Sequence, residues 1–297
     1  MPPRLIARRE NAVYRLDLAD GRALALRLHR PGYQSAAGIE AELRWSEALS
    51  VAGFPCPRPA RTAAGALVEA DGEGAASAVE WIDAEPLSAL SPGAAERLDL
   101  TRDTGRLLAR LHHAADRVAA LPPCARPGWH RAGLAGADPL WGRYWENLDA
   151  SRAEAAALLA ARDRAADWLR GWAAAGRADI GPIHADALLE NVMRAPDGRL
   201  WLIDFDDCGM GYRLYDPGAA LVQVWDDPML PDLTAAMAEG YAEGRGLDAG
   251  KVAALLPRFT ALRALASAGW IMSRAPRGDA RHAVYVRRAL TLASAFA

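Results

Sequence analysis

The pattern of hydrophobic and polar positions changes near residue 83 of this 297-residue chain. Before that point it is mostly strand-like, since apolar and polar side chains alternate in short runs, as in half-buried β-strands. An Asp-Gly pair separates the first two runs and predicts a hairpin turn. Strand-like runs occupy residues 12–18, 22–29, 66–70 and 76–82, and one helix is predicted over residues 36–51.

Beyond residue 83 the apolar positions follow the 3.6-residue period of amphipathic helices. One stretch interrupts this spacing: IHADALLENVMRAPDGRLWLIDFDDCG, residues 183–209, predicts a loop and then a strand–turn–strand. The pattern therefore predicts an α+β protein with a β-rich lobe (residues 1–83), a mostly helical lobe (residues 84–297) and a ligand cleft between them. Helices are predicted over residues 92–114, 152–175, 232–245, 251–272 and 280–296.

Composition and charge narrow the classes of function. Hydrophobic residues make up 52% of the chain and charged residues 24%, which indicates a folded globular protein. A net charge of −2 provides no electrostatic surface for nucleic acid or an anionic membrane. No apolar run reaches the roughly 18–20 residues of a membrane helix, and the start, MPPRLIARRE, lacks the apolar core of a secretory signal.

The three cysteines are Cys56, Cys124 and Cys208, and they are too widely separated to indicate a disulfide framework or a zinc site. We therefore expect a cytoplasmic protein with no nucleic-acid or membrane partner. The sequence leaves its oligomeric state unknown.

Acidic residues in the 183–209 stretch form a pattern that suits phosphoryl transfer. Carboxylates on a buried strand are costly unless a cation compensates them. Asn191 and Asp204 would provide one amide and one carboxylate oxygen, a sparse set that suits Mg²⁺, which keeps waters and binds phosphate oxygens. The spacing D-x-x-x-x-N followed by D-F-D is the protein-kinase arrangement of catalytic loop and metal-binding aspartate, and Asp186 is then the candidate general base.

The segments IHADALLEN (183–191) and LIDFDDCGMG (202–211) resemble the aminoglycoside phosphotransferase-like superfamily, which includes choline kinases, type II homoserine kinases and bacterial stress-response kinases. The resemblance extends to residues 11–33, to LLARLHHAA (107–115) and to Tyr215-Asp216-Pro217. It implies a protein-kinase-like bilobal fold. It also implies transfer of the γ-phosphoryl group of ATP to the hydroxyl of a small-molecule acceptor.

The resemblance assigns roles to residues of the helical lobe. Asp186 matches the catalytic base, and Asn191 and Asp204 match the Mg²⁺ ligands. Asp206 is a second metal ligand or an anchor of the loop. His184 is expected to orient the catalytic loop through hydrogen bonds.

In the β-rich lobe, the kinase-like triplet A-x-K is matched by Ala25-Leu26-Arg27, so an arginine replaces the lysine that grips ATP phosphates. Glu42, with Glu40 as the second choice, matches the acidic partner of that lysine. Asn11 belongs to a turn (8–11) that would cover the phosphates in place of a G-x-G-x-x-G loop. The resemblance also makes Glu80, Trp81 and Ile82 the interlobe hinge whose backbone binds adenine.

Arg27 is the largest departure from the family pattern. Of 35 basic residues only Lys251 is a lysine, and it lies in a C-terminal helical segment. A guanidinium stays charged and binds phosphate bidentately, so phosphate binding is expected to survive. Two alternatives remain open: a protein Ser/Thr kinase, because RLHRPGY (27–33) is similar to the stress-response kinases, and a nucleotide-binding pseudoenzyme.

Overall fold

The structure of the protein is a computed structural model that describes residues 2–8, 11–71, 74–118 and 128–297. Cys124 and part of the predicted phosphate-covering turn (9–10) lie outside the described residues. Throughout the described part of the chain, no helix has the length and apolarity needed to cross a membrane.

The N-terminal elements form one antiparallel sheet and one helix. In the described residues the strands follow the order β1-β2-β3-β6-β4, and β5 also pairs with β6. Gly21, at φ +85°, lies in the tight turn between β2 and β3. The elements are β1 (Arg4–Arg8), β2 (Ala12–Asp17), β3 (Ala23–His29), α1 (Ala36–Val51), β4 (Pro59–Ala60), β5 (Val68–Ala70) and β6 (Ala75–Glu80).

Helix α1 begins after Ser35, whose side chain accepts a hydrogen bond from the Gly38 N–H and so caps the helix. Its apolar side chains Ile39 and Leu43 pack with Leu67 in a small core of their own. This packing holds α1 close to the sheet and fixes the direction of the buried Glu42 side chain.

The remainder of the chain is mainly helical, with three-stranded β structures around residues 180–212. Strands β10 and β11 form a hairpin that also pairs with β7, and β12 lies between β8 and β9. The strands are β7 (Glu85–Pro86), β8 (Gly128–Trp129), β9 (Ile180–Ile183), β10 (Val192–Arg194), β11 (Leu200–Leu202) and β12 (Gly209–Tyr212). The helices are α2 (Ala94–Ala115), α3 (Arg131–Ala135), α4 (Arg152–Ala174), α5 (Tyr215–Leu221), α6 (Leu230–Arg245), α7 (Ala249–Trp270) and α8 (Ala280–Leu292).

Two features of the helical core position the site. Helices α2 and α6 approach very closely: a Cβ on Gly240 would lie 1.9 Å from the Arg102 carbonyl oxygen. Helix α7 is buried on all sides from Phe259 to Gly269 and packs against α5, α6 and α8. A helix this deeply packed is a rigid support for any side chain it presents to the site.

The periodicity of the sequence predicts these elements well. Helix α1 has the predicted bounds, and the other predicted helices differ from the observed ones by a few residues at their ends. An antiparallel sheet followed by a helical part confirms the predicted α+β class. The boundary between lobes at residues 83–84 stays a prediction.

Candidate active site

The loop between β9 and β10 carries Asp186 and has an unusual backbone. Ala185, which is fully buried, adopts φ +68°, a conformation that costs a non-glycine residue roughly 1 kcal/mol or more. The Asp216 carboxylate holds this backbone by accepting hydrogen bonds from the N–H groups of His184 (2.9 Å) and Ala185 (2.7 Å). His112 Nε2 lies 2.9 Å from the same carboxylate. Asp216, at the start of α5, therefore fixes the backbone of the loop between β9 and β10.

Asp216 is fully buried and ionised. Burial by itself raises the pKa of a carboxyl group, but the hydrogen bonds from His112 and from the His184 backbone N–H outweigh it and hold the pKa of Asp216 below its ordinary value. His184 completes the loop support, since its Nε2 lies 2.9 Å from the Ile203 carbonyl oxygen and its Nδ1 accepts from the Asp186 N–H.

Replacement of Asp216 by asparagine is expected to lower the free energy of unfolding by about 2–4 kcal/mol, because an amide NH₂ would face backbone N–H donors in a buried place. Chemical denaturation near pH 7 measures the loss. Since the folded pKa is depressed, the wild-type advantage is present above the unfolded pKa near 4 and shrinks as the pH falls below it. Asp167→Asn is the matched control, because Asp167 forms an exposed ion pair with Arg170. It should change the free energy of unfolding little. A loss no larger than that control would contradict the role of Asp216.

Asn191 and Asp204 lie where two loops meet beside Asp186. The Asn191 amide nitrogen donates to the carbonyl oxygen (2.8 Å) and to Oδ2 (3.0 Å) of Asp186. Among the described residues nothing donates to Asn191 Oδ1, so this oxygen is available as a ligand atom. Asp204, at φ +65°, presents a carboxylate whose side chain is 41% exposed. One amide oxygen and one carboxylate are a donor set that fits Mg²⁺.

Arg27 reaches from β3 into a group of three carboxylates. Its Nη2 lies 2.7 Å from Asp204 Oδ1, and its Nη1 lies 3.6 Å from Glu42 Oε1 and 4.0 Å from Asp206 Oδ1. Burial disfavours the charge, but these carboxylates outweigh it and raise the pKa of Arg27 above its ordinary value. Glu40, the second candidate partner, instead forms an exposed pair with Arg44. Ala25 lies two residues before Arg27 on β3, which places both side chains on one face of the sheet.

Contacts from the N-terminal part hold the loop that follows Asp204. Asn11 Nδ2 donates to Asp206 Oδ2 (3.1 Å), and Gln34 Nε2 donates to the Asp206 carbonyl oxygen (3.2 Å). Tyr33 donates from its hydroxyl to Asp207 Oδ1 at 2.6 Å. Burial, with the Asp186 charge as the next cause, raises the pKa of Asp207. Asp206 thus makes the contacts of a loop anchor, and the sequence interpretation had not singled out Tyr33 or Asp207.

The predicted hinge begins at Glu80, the last residue of β6, and continues through Trp81 and Ile82. The Glu80 N–H donates to the Arg58 carbonyl oxygen (2.8 Å), and the Trp81 N–H donates to the Ala23 carbonyl oxygen (3.0 Å). The Ile82 N–H has no acceptor among the described residues, so it is the one backbone donor of the three that is available for a ligand.

A buried arginine that the sequence interpretation missed contacts Asp186. Arg263, on α7, is 5% exposed, and its Nη2 lies 2.5 Å from Asp186 Oδ1. Its guanidinium carbon lies 4.6 Å from the centroid of the Trp141 ring. The available sequence signal was a single charged residue in the otherwise uncharged run FTALRALASAG (259–269).

The fold and this site together define a phosphotransferase with a protein-kinase-like fold. The chain belongs to the phosphotransferase enzyme family, whose sequence profile matches residues 4–255. It is 33% identical over 230 residues to a homoserine kinase of Methylobacterium radiotolerans, a match that covers 73% of this chain and 64% of that protein, less than two thirds of its length.

Two solved structures have the same fold. An aminopropanol kinase associated with a microcompartment has a TM-score of 0.80 and 28% identity, with 99% of this chain and 90% of that one covered. An amicoumacin kinase in complex with AMP-PNP and Ca²⁺ has a TM-score of 0.75 and 20% identity, with 97% and 87% covered. The predicted family, the kinase-like fold and the phosphotransferase class are thereby confirmed, and the roles of individual site residues stay predictions.

Proposed function

We propose that this protein transfers the γ-phosphoryl group of ATP, with Mg²⁺, to the hydroxyl of a small amino alcohol. The observation that carries the proposal is the geometry around Asp186: its carboxylate is hydrogen-bonded to Asn191, which lies beside the Asp204–Arg27 pair. A base, two oxygen ligands and a phosphate-binding cation are the components that phosphoryl transfer requires.

Each residue has a defined task in this proposal. Asp186 orients the acceptor hydroxyl and accepts its proton. Asn191 Oδ1 and Asp204 hold Mg²⁺, which when bound neutralises negative charge on the phosphate oxygens. Arg27, held by Glu42 on its far side, binds a phosphate oxygen through the Nη2 that now contacts Asp204.

The nucleotide base would lie against the hinge. The free Ile82 N–H is placed to donate to adenine, since the two preceding N–H groups are already bonded within the protein. Ala25, on the face of β3 that carries Arg27, provides a small side chain beneath the ring. Asn11 would act near the phosphates from its position beside Asp206.

The acceptor class rests on charge and on the relatives. Burial, followed by the nearby Asp186 charge, raises the pKa of Asp207, so an ammonium group on the acceptor would complement this pair of carboxyl groups. Homoserine and aminopropanol, the substrates named for two relatives, are both amino alcohols.

An ADP-release assay with a panel of acceptors tests this function. The panel contains homoserine, aminopropanol, ethanolamine, choline, an aminoglycoside, a sugar and a generic protein substrate. We expect an amino alcohol to raise ADP release at least about tenfold above the rate without acceptor, and Asp186→Asn to remove that increase. Transfer of labelled phosphate only to protein would instead support the Ser/Thr kinase alternative, and no transfer to any acceptor would contradict the proposal.

A further inference from the structure

Helix α7 carries Arg263, which contacts the candidate base Asp186 and is fixed by several further contacts. Arg263 Nη2 meets Asp186 Oδ1 at 2.5 Å, while Nη1 donates to Ser267 Oγ at 3.0 Å. The Ser267 hydroxyl in turn donates to the Arg263 carbonyl oxygen (2.8 Å), and the Trp141 ring covers the guanidinium. The arginine is therefore held by its own helix and by an aromatic face as well as by Asp186.

Stability alone does not explain this arrangement. A buried guanidinium loses its hydration, and a buried ion pair is often no more stabilising than apolar side chains of similar volume. Arg263 Nε also has no hydrogen-bond partner among the described residues, so part of the desolvation is left uncompensated. A purely structural position inside α7 would be better filled by another apolar side chain, as at neighbouring positions of the helix.

The two carboxylate oxygens of Asp186 accept hydrogen bonds from two different residues. Oδ1 accepts from Arg263 and Oδ2 accepts from Asn191, so rotation of the carboxylate about its last bond would break one contact or the other. Each oxygen keeps a further lone-pair direction, which leaves room for an acceptor hydroxyl. Asn191 belongs to the same β9–β10 loop as Asp186, whereas Arg263 comes from α7, so α7 provides the reference for this orientation from outside the loop.

We propose that Arg263 is a positioning residue for phosphoryl transfer: it holds the Asp186 carboxylate in the orientation that meets the acceptor hydroxyl. This inference rests on the proposed function, in which Asp186 is the base. It predicts an effect on kcat and little effect on nucleotide binding, because Arg27, Asn191 and Asp204 keep their places when Arg263 is shortened.

The test compares Arg263→Ala, Arg263→Lys and wild type with an acceptor identified by the ADP-release panel. We expect Arg263→Ala to lower kcat about 100-fold, the loss typical of a misplaced reacting group, with KM for ATP within about threefold. Added guanidinium chloride at low, non-denaturing concentration should restore kcat at least about fivefold, and sodium chloride at equal ionic strength should not. Arg263→Lys keeps the positive charge but lacks the paired donors of the guanidinium, so its kcat should remain well below that of wild type.

Controls separate positioning from general damage. Arg245→Ala removes another poorly exposed arginine, one that pairs with Asp116 and Asp179, and should leave kcat per folded molecule within about twofold. If Arg263→Ala does not fold, Ser267→Ala removes only the hydroxyl that holds Nη1, and it should lower kcat about three- to tenfold with unchanged KM for ATP.

The outcomes distinguish this inference from the proposed function. In the Asp186→Asn background, Arg263→Ala should cause no further loss, because the two residues act as a unit. Wild-type kcat in Arg263→Ala with an inactive Asp186→Asn overturns only the positioning role. Wild-type kcat in Asp186→Asn overturns the proposed function. A loss in Arg263→Ala that guanidinium does not restore, with a parallel loss of ATP affinity, shows a merely structural role and also overturns the inference.

Discussion

Replacement of Asp186 by asparagine is expected to lower kcat about 10³-fold, since a general base contributes roughly 10²–10⁴-fold and an amide cannot accept the acceptor's proton. The change keeps the shape of the side chain and an oxygen that Arg263 can bond. ATP binding is expected to survive, because neither Arg27 nor Asp204 contacts the altered atom directly.

Stability has to be measured alongside activity in this variant. Arg263 would lose its only carboxylate partner among the described residues, and a buried cation with a neutral partner is expected to cost about 1–3 kcal/mol of unfolding free energy. The rate is therefore expressed per folded molecule, and ATP-induced thermal stabilisation reports whether the nucleotide still binds. A kcat within about threefold of wild type would exclude Asp186 as the base.

Replacement of Asp204 by alanine is expected to lower kcat by about 10²–10³-fold or more, through loss of the charge that holds the metal against the phosphates. The variant should also differ in how it binds ATP. ATP should stabilise the wild-type protein more with Mg²⁺ than with a chelator, and this difference should vanish in Asp204→Ala. Thermal unfolding with and without Mg²⁺ measures it.

The fold should tolerate the loss of Asp204. Its side chain is substantially exposed, and the mostly buried Arg27 keeps Glu42 and Asp206 as neighbouring charges, so we expect a loss of about 1–2 kcal/mol in the free energy of unfolding. Glu40→Ala is the matched control, since Glu40 is an exposed acid on α1 that pairs with Arg44. Retention of the Mg²⁺-dependent difference in Asp204→Ala would show that the metal is held elsewhere.

Much of the secondary structure was predictable, and the candidate site residues of the β9–β10 loop could be named, because their signals are local. The 3.6-residue spacing that predicts a helix over residues 36–51 and the Ser35 cap that begins it lie within one short stretch. Asp186, Asn191 and Asp204 are likewise linked by a spacing of fewer than twenty residues along the chain.

The supports of that loop could not be predicted in the same way. His112 meets Asp216 across 104 positions, Arg263 meets Asp186 across 77, and Tyr33 meets Asp207 across 174. Each contact depends on how helices and loops pack. The residues around one partner contain no local pattern that predicts the other. The sequence showed Asp216 as part of a Y-D-P segment, but it did not predict the hydrogen bond that Asp216 accepts from the Ala185 N–H.

The residue types and their order therefore indicate the family and the α+β architecture, and they name the candidate groups for phosphoryl transfer. Tertiary packing establishes how those groups are held: Arg27 among three carboxylates, Asp186 between Arg263 and Asn191, and the strained loop on Asp216. The physical reason is that periodicity and spacing are properties of neighbouring residues, whereas the cost of burying a charge is decided by partners that only folding brings within hydrogen-bond distance.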